Sequence, residues 1–264
     1  MNKSESASTE TKMTNPFRLD GQVALITGGG SGLGLGIGRC MAAAGARVIL
    51  AGRRTELLQA SAKEIGAAAS SIRCDVTRLG EISAVVARAR EIFGPITILV
   101  NNAGVHLKKP AVETTDEEFL DVLKTHVLGA HALTRAVLPE MLRQRSGSIL
   151  FIASMASFLG IPLVVAYSAA KSAYLGMVRT LATEVSPQGV RVNAIAPGWM
   201  ETDMVRNAMK GDPMRKQRII SRTPLGRFGE PKDIGEAAVY LCSPAANFVT
   251  GVVLPVDGGA SIGF

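Results

Sequence analysis

The chain of 264 residues predicts an α/β fold built on a single doubly wound parallel sheet with helices on both faces. Three observations carry that expectation. Short apolar runs alternate with helix-length amphipathic segments from Val23 to Val256. Such alternation implies strand–helix–strand crossovers, and so a parallel sheet covered on both sides. The first apolar run passes straight into a glycine-rich turn and then a helix. No linker or long internal repeat divides the pattern, so residues 17–264 read as one domain. Ahead of it, residues 1–16 form a polar stretch rich in Ser, Thr and Glu, expected to be a flexible tail.

The elements follow in order. Val23–Thr27 is the first strand, and Leu33–Ala44 a helix closed by Gly45. Arg47–Ala51 is the second strand, followed by a helix near Thr55–Ile65 and a short strand at Ser71–Cys74. A helix through Gly80–Phe93 leads to the strand Ile96–Val100. Thr115–Arg143 carries long helical periodicity, and Ser148–Ala153 is the next strand. Ala166–Ser186 reads as a helix and Val190–Ile195 as a strand. A less regular basic stretch precedes a helix at Pro231–Leu241 and a last strand at Val252–Val256.

Composition narrows the function classes. With 47% hydrophobic and 19% charged residues, the chain buries a sizeable core. Cys40, Cys74 and Cys242 are scattered and form no CxxC pair or metal-type cluster. Reduced thiols in a cytoplasmic protein, with no metal, are the expectation. No uninterrupted apolar run of about 18 residues predicts a membrane span, and Met1–Pro16 lacks the apolar segment of a signal peptide. The net charge of +7 raises the question of nucleic acid, but no zinc-finger or RNA-binding aromatic motif accompanies it. Most of the excess lies between Asp203 and Arg227, where seven basic residues face two acidic ones. That segment reads either as a solvated helical face or as a lid, at about 199–225, that attracts an anionic substrate or cofactor.

The turn Thr27-Gly28-Gly29-Gly30-Ser31-Gly32-Leu33-Gly34 has the spacing TGxxxGxG. Glycines placed after a strand and at the opening of a helix let the backbone approach a pyrophosphate at the helix N-terminus, so the turn points to a dinucleotide. The end of the second strand selects which one. An acidic residue there suits the ribose hydroxyl of NAD, whereas this strand runs into Arg53 and Arg54. Two guanidiniums suit a 2′-phosphate, so NADP(H) is favoured and NAD(H) remains possible. The plainer reading makes both arginines surface residues at a helix start.

Tyr167 and Lys171 stand four residues apart, with Ser154 thirteen positions upstream of Tyr167. On a helix that spacing puts the ammonium beside the phenol. A phenol with a reference pKa of about 10 becomes a proton donor or acceptor near neutral pH if it is lowered by roughly three units, about 4 kcal/mol of differential stabilisation. Ser154 would orient a substrate oxygen.

Taken together with Asp75-Val76, Asn101-Asn102-Ala103-Gly104 and Pro197-Gly198 with Thr202, these motifs resemble the short-chain dehydrogenase/reductase family, from Leu19 to the C-terminus. The resemblance implies a Rossmann fold and hydride chemistry. It also implies that Asp75 bonds the adenine amine with Val76 beside it, and that Asn102, Ala103 and Gly104 pass under the adenosine ribose. Lys171 would hold the nicotinamide ribose, while Thr202 and the Ile195–Gly198 backbone, with Pro197 and Gly198, hold the carboxamide. One departure stands out: the family's tetrad carries an Asn on the long central helix where this chain has His126. The imidazole either takes over the relay of protons to Lys171 or simply packs. A working relay would add a pH limb near its reference pKa of about 6.5 unless burial moved it.

Among relatives, the overall form resembles 3-oxoacyl-(acyl carrier protein) reductases. Ser154-Met155-Ala156-Ser157 and His106-Leu107-Lys108-Lys109-Pro110 are more similar to sugar-acid enzymes such as gluconate 5-dehydrogenase. Both substrates are anionic carbonyl compounds. The resemblance further implies a homotetramer. The competing function is a catalytically silent nucleotide sensor or scaffold of the same fold, for which His126 is the support.

Overall fold

The computed structural model describes residues 15–202, 205–206 and 213–263. The tail expected at 1–16 lies almost wholly outside the described residues, as do Asp203, Lys210 and Asp212 of the expected lid.

Seven strands form one sheet in the order β3-β2-β1-β4-β5-β6-β7, every pairing parallel. They are β1 Val23–Thr27, β2 Arg47–Gly52, β3 Ala69–Arg73, β4 Ile98–Asn101, β5 Gly147–Ile152, β6 Val190–Pro197 and β7 Val253–Val256. The helices between them are α1 Gly32–Ala43, α2 Thr55–Ile65, α3 Ile82–Phe93, α4 Asp116–Leu123, α5 Gly129–Gln144, α6 Val165–Val185, α7 Pro213–Ser221 and α8 Pro231–Cys242. This is the doubly wound Rossmann arrangement that the alternation predicts.

Each sheet face owns a core. On one, Ile37 and Met41 of α1, Leu58 of α2 and Ile234 and Leu241 of α8 pack against Ile26, Leu50 and Leu150. On the other, Val85 of α3, Val137 and Met141 of α5 and Tyr174 and Val178 of α6 pack against Leu25, Leu99 and Phe151. Strands read as continuous apolar runs because both of their faces are covered. No helix among the described residues is long and apolar enough to cross a membrane.

Two elements differ from expectation. The long helix at Thr115–Arg143 is interrupted: between α4 and α5, residues Lys124–Leu128 form a π-helical turn, and the Gly129 N–H reaches back to the Lys124 carbonyl. Apolar periodicity does not register one inserted residue in a turn of this kind. The irregular basic stretch contains α7, whose charged sequence hides its helical register.

Candidate active site

At the C-terminal edge of the sheet the chain leaves β1 and β4 in opposite directions, because β1 is flanked by β2 on one side and β4 on the other. Such a switch of strand order opens a crevice where ligands bind in sheets of this type. Here it is a cavity of about 850 Å³.

One end of it is the glycine turn. Ser31 is the N-cap of α1 yet makes no side-chain cap, and the first turn of α1 carries no acidic residue. The leading N–H groups are therefore left without a side-chain partner beside the cavity, a site suited to an anion. Gly28, Ser31, Gly32 and Leu33 line the cavity. Arg54 donates to the Ser31 hydroxyl at 3.0 Å, and both Arg53 and Arg54 line the same end. Asp75, Val76, Asn102, Ala103, Gly104, Pro197, Gly198 and Thr202 also line the cavity, Thr202 beside Gly32 of the turn. The pairing of bare helix N–H groups with two guanidiniums fits a phosphorylated dinucleotide.

Two expected contacts lie behind this wall. Thr27 is buried, and its hydroxyl donates to the Val100 carbonyl at 3.2 Å and accepts the Asn102 and Ala103 N–H groups at 3.0 Å each. It braces the loop after β4 rather than facing the cavity. Gly34 is required for close approach, since a Cβ there would collide with the Gly28 carbonyl. The Asn102 amide donates to the Thr27 carbonyl at 2.8 Å and ties the two loops together.

The other end gathers the ionisable groups. Ser154 follows β5 and accepts the Ala156 N–H at 3.1 Å. Tyr167 and Lys171 lie one turn apart on α6 and, with Ser154, line the cavity. The Lys171 ammonium donates to the Ile152 carbonyl at 2.6 Å and stands 5.6 Å from the Tyr167 ring centre and 5.0 Å from that of Tyr174. Burial pushes the Lys171 pKa down to about 7. Burial also raises that of Tyr167, against a hydrogen bond from Ser154 that lowers it. The lowering of the phenol expected from its spacing to Lys171 is thus reversed in direction, because low polarity penalises both charged forms. At neutral pH Tyr167 stands as a protonated donor.

His126 sits within the π-helical turn and is buried. Its Nε2 is 3.1 Å from the Val105 N–H and 2.8 Å from the Val105 carbonyl, and its Nδ1 has no partner among the described residues. The ring meets Tyr167 edge-on with centres 5.6 Å apart. A Cβ on Gly104 would strike the imidazole, so that glycine is required. Burial, then the Lys171 charge, push its pKa down to about 3, which removes the pH limb near 6.5. The Tyr174 hydroxyl donates to the His126 carbonyl at 2.9 Å.

Sequence reasoning missed Tyr174, which no motif marks, and looked for a substrate lid at about 199–225. Met155, Ile161, Pro162 and Val164, from the loop after β5, also line the cavity beside Trp199 and Met200. The signal was the apolar run between Ser154 and Tyr167, too short for a helix and preceding one.

A family model described as enoyl-(acyl carrier protein) reductase matches residues 28–261. Galactitol 2-dehydrogenase (L-tagatose-forming) of Cereibacter sphaeroides is 42% identical over 249 residues, covering 93% of this chain and 97% of that protein. An inactive 2-(S)-hydroxypropyl-CoM dehydrogenase of Xanthobacter autotrophicus is 42% identical over 225 residues, covering 84% of this chain and 97% of that one. The crystal structure of a gluconate 5-dehydrogenase from Burkholderia cenocepacia, in complex with NADP and tartrate, superposes with a TM-score of 0.90 at 32% identity, covering 94% of this chain and 98% of that one.

Proposed function

As the chain belongs to the short-chain dehydrogenase/reductase family, we propose that it transfers a hydride between NADP(H) and a ketone or secondary alcohol, with Tyr167 giving or taking the proton. The supporting observation is one cavity with Arg53 and Arg54 beside the glycine turn at one end and Ser154, Tyr167 and Lys171 at the other.

The bound nicotinamide would supply hydride to a carbonyl carbon, or accept it from a carbinol. The chain's residues do the rest. The helix N-terminus and the two arginines hold the phosphates. Ser154 orients the substrate oxygen, and Tyr167 protonates it as charge develops there. Lys171 steadies the phenolate left behind by its charge. His126 acts through Val105, holding the loop after β4 that forms the cavity wall. The substrate is an anion, either a sugar acid or a 3-oxoacyl thioester, under a lid at about 199–225, and the working form is a homotetramer in the cytoplasm.

A silent nucleotide-binding protein is the second reading, and one relative 42% identical is named inactive. A screen that follows reduced-cofactor absorbance against sugar acids, alditols, oxoacyl thioesters, steroids and small diketones separates the two. The proposal expects NADP-dependent turnover of at least one class. Tight NADP binding with turnover of none would establish the silent reading.

A further inference from the structure

Residues 102–110 lead from β4 towards α4 without regular structure, and side-chain exposure alternates from Val105 to Lys109. Val105 and Leu107 turn inward, into a small apolar cluster with Phe119, Val122 and Ala166. His106 and Lys108 are the exposed members, and both line the active-site cavity, which Val105 also borders. The alternation is that of an extended backbone, in which successive side chains point to opposite sides.

The segment is pinned on either side of Lys108. Ahead of it, His126 holds the Val105 backbone. Behind it, the Lys109 N–H donates to the Leu163 carbonyl at 2.7 Å, and its ammonium binds both carboxylate oxygens of Glu118 at 3.0 Å. Glu118 is in turn locked into the capping box of α4. The two neighbouring lysines therefore have different fates. Lys109 is consumed by structure, whereas Lys108 has no ion-pair partner among the described residues.

The surroundings are one-sided in charge. The His106 ring lies 5.0 Å from that of Tyr167, which puts this pair at the reacting end of the cavity. The walls there are apolar, from Met155, Ile161, Pro162 and Trp199. The carboxylate among the described lining residues, Asp75, sits by Arg53 and Thr77 at the nucleotide end. A cation in an apolar-walled cleft with no opposing carboxylate concentrates anions there.

We infer that Lys108, with His106 beside it, forms the subsite that takes the carboxylate of a small polyhydroxy acid, and so selects an acid over the neutral polyol of the same skeleton. This rests on the hydride-transfer reading and sharpens its substrate class. The ammonium would receive the carboxylate as a charge-assisted hydrogen bond, while His106 faces the carbon chain near Tyr167.

The test compares an aldonate with the alditol of the same carbon skeleton, bound to the full-length protein loaded with reduced NADPH, to which neither alcohol can give a hydride. Trp199 is the chain's one tryptophan and lines the cavity, so its emission reports binding without turnover. The aldonate is expected to bind more tightly than the alditol. Lys108→Met should weaken the aldonate by about tenfold or more, and Lys108→Arg should recover most of that. The alditol should stay within about twofold of its wild-type affinity in both variants, since it brings no charge to lose. Wild-type protein that binds the two equally, or a Met variant that weakens both alike, would overturn the inference. The hydride-transfer reading fails separately. If the aldonate binds through Lys108 but no alcohol or ketone is turned over, that reading falls and the subsite stands. Turnover of a thioester or neutral polyol with no aldonate binding sinks the subsite and leaves hydride transfer intact.

Discussion

The Lys171 ammonium, held at 2.6 Å by the Ile152 carbonyl in a buried position, has a pKa of about 7 against an ordinary 10.5. Between those values the unfolded chain binds more protons than the folded one, so this group makes stability rise as pH rises. Removing it in Lys171→Met should therefore help folding most near pH 7 and progressively less towards pH 9. Denaturant titrations of both proteins across that range measure the gap, and parallel curves would show that Lys171 keeps its ordinary pKa. Arg53 carries a different expectation. If it meets the 2′-phosphate, Arg53→Ala should weaken NADPH by about 1.5–3 kcal/mol, the worth of a charge-assisted bond, and leave NADH nearly unchanged. Equal losses for both cofactors, measured by titration, would assign it to the surface.

The junction of α4 and α5 carries His126, where the resemblance implies an Asn. The π-helical turn at Lys124–Leu128 presents His126 to the Val105 backbone, where both an N–H and a carbonyl need partners. A neutral imidazole nitrogen donates or accepts, but not both at once, whereas a primary amide does both. His126→Asn should therefore keep turnover and folding close to wild type. His126→Leu leaves unpaired the Val105 group that the imidazole serves, at roughly 1 kcal/mol, the low end of the range because the group is part-buried, and should lower both stability and turnover. The pH profile between 5 and 8 should be the same in wild type and in the Asn variant, because the imidazole pKa is about 3. If Leu outperforms Asn, or a limb near 6.5 vanishes with the imidazole, this account of the junction is wrong. The element order was legible because strand runs and amphipathic helices alternate cleanly. The π-helical turn was not, since its residues fit the same apolar stripe as the helices on either side. Nor was α7, where the prevailing charge masks the buried Ile219.

Across the molecule, the chemistry was more readable than the pocket. Ser154, Tyr167 and Lys171 depend on spacing along one helix and the end of one strand, both of which sequence expresses directly. What surrounds the substrate depends on loops meeting across the sheet, such as the Lys109 and Leu163 backbones, and on burial that turns the Tyr167 pKa upward. Neither is a property of local sequence. Assembly belongs to the same scale. β7 is an edge strand with an unpaired outer side, Phe248 beside it is exposed, and Leu120 and Leu128 are exposed along the α4–α5 face. Surfaces of this kind favour closed symmetric contacts, so light scattering at micromolar concentration should report a tetramer, and a monomer alone would contradict it.

The central claim is that Tyr167 moves the proton in an NADP-linked hydride transfer. Tyr167→Phe removes one hydroxyl and keeps the ring against His126 and His106. Single-turnover and steady-state rates on the best substrate from the screen, together with the NADPH dissociation constant, test it most directly. The expected result is unchanged cofactor affinity with turnover lower by at least about 10²-fold, the usual worth of a positioned acid or base. A Phe variant that binds NADPH normally and turns over at near the wild-type rate would contradict the account.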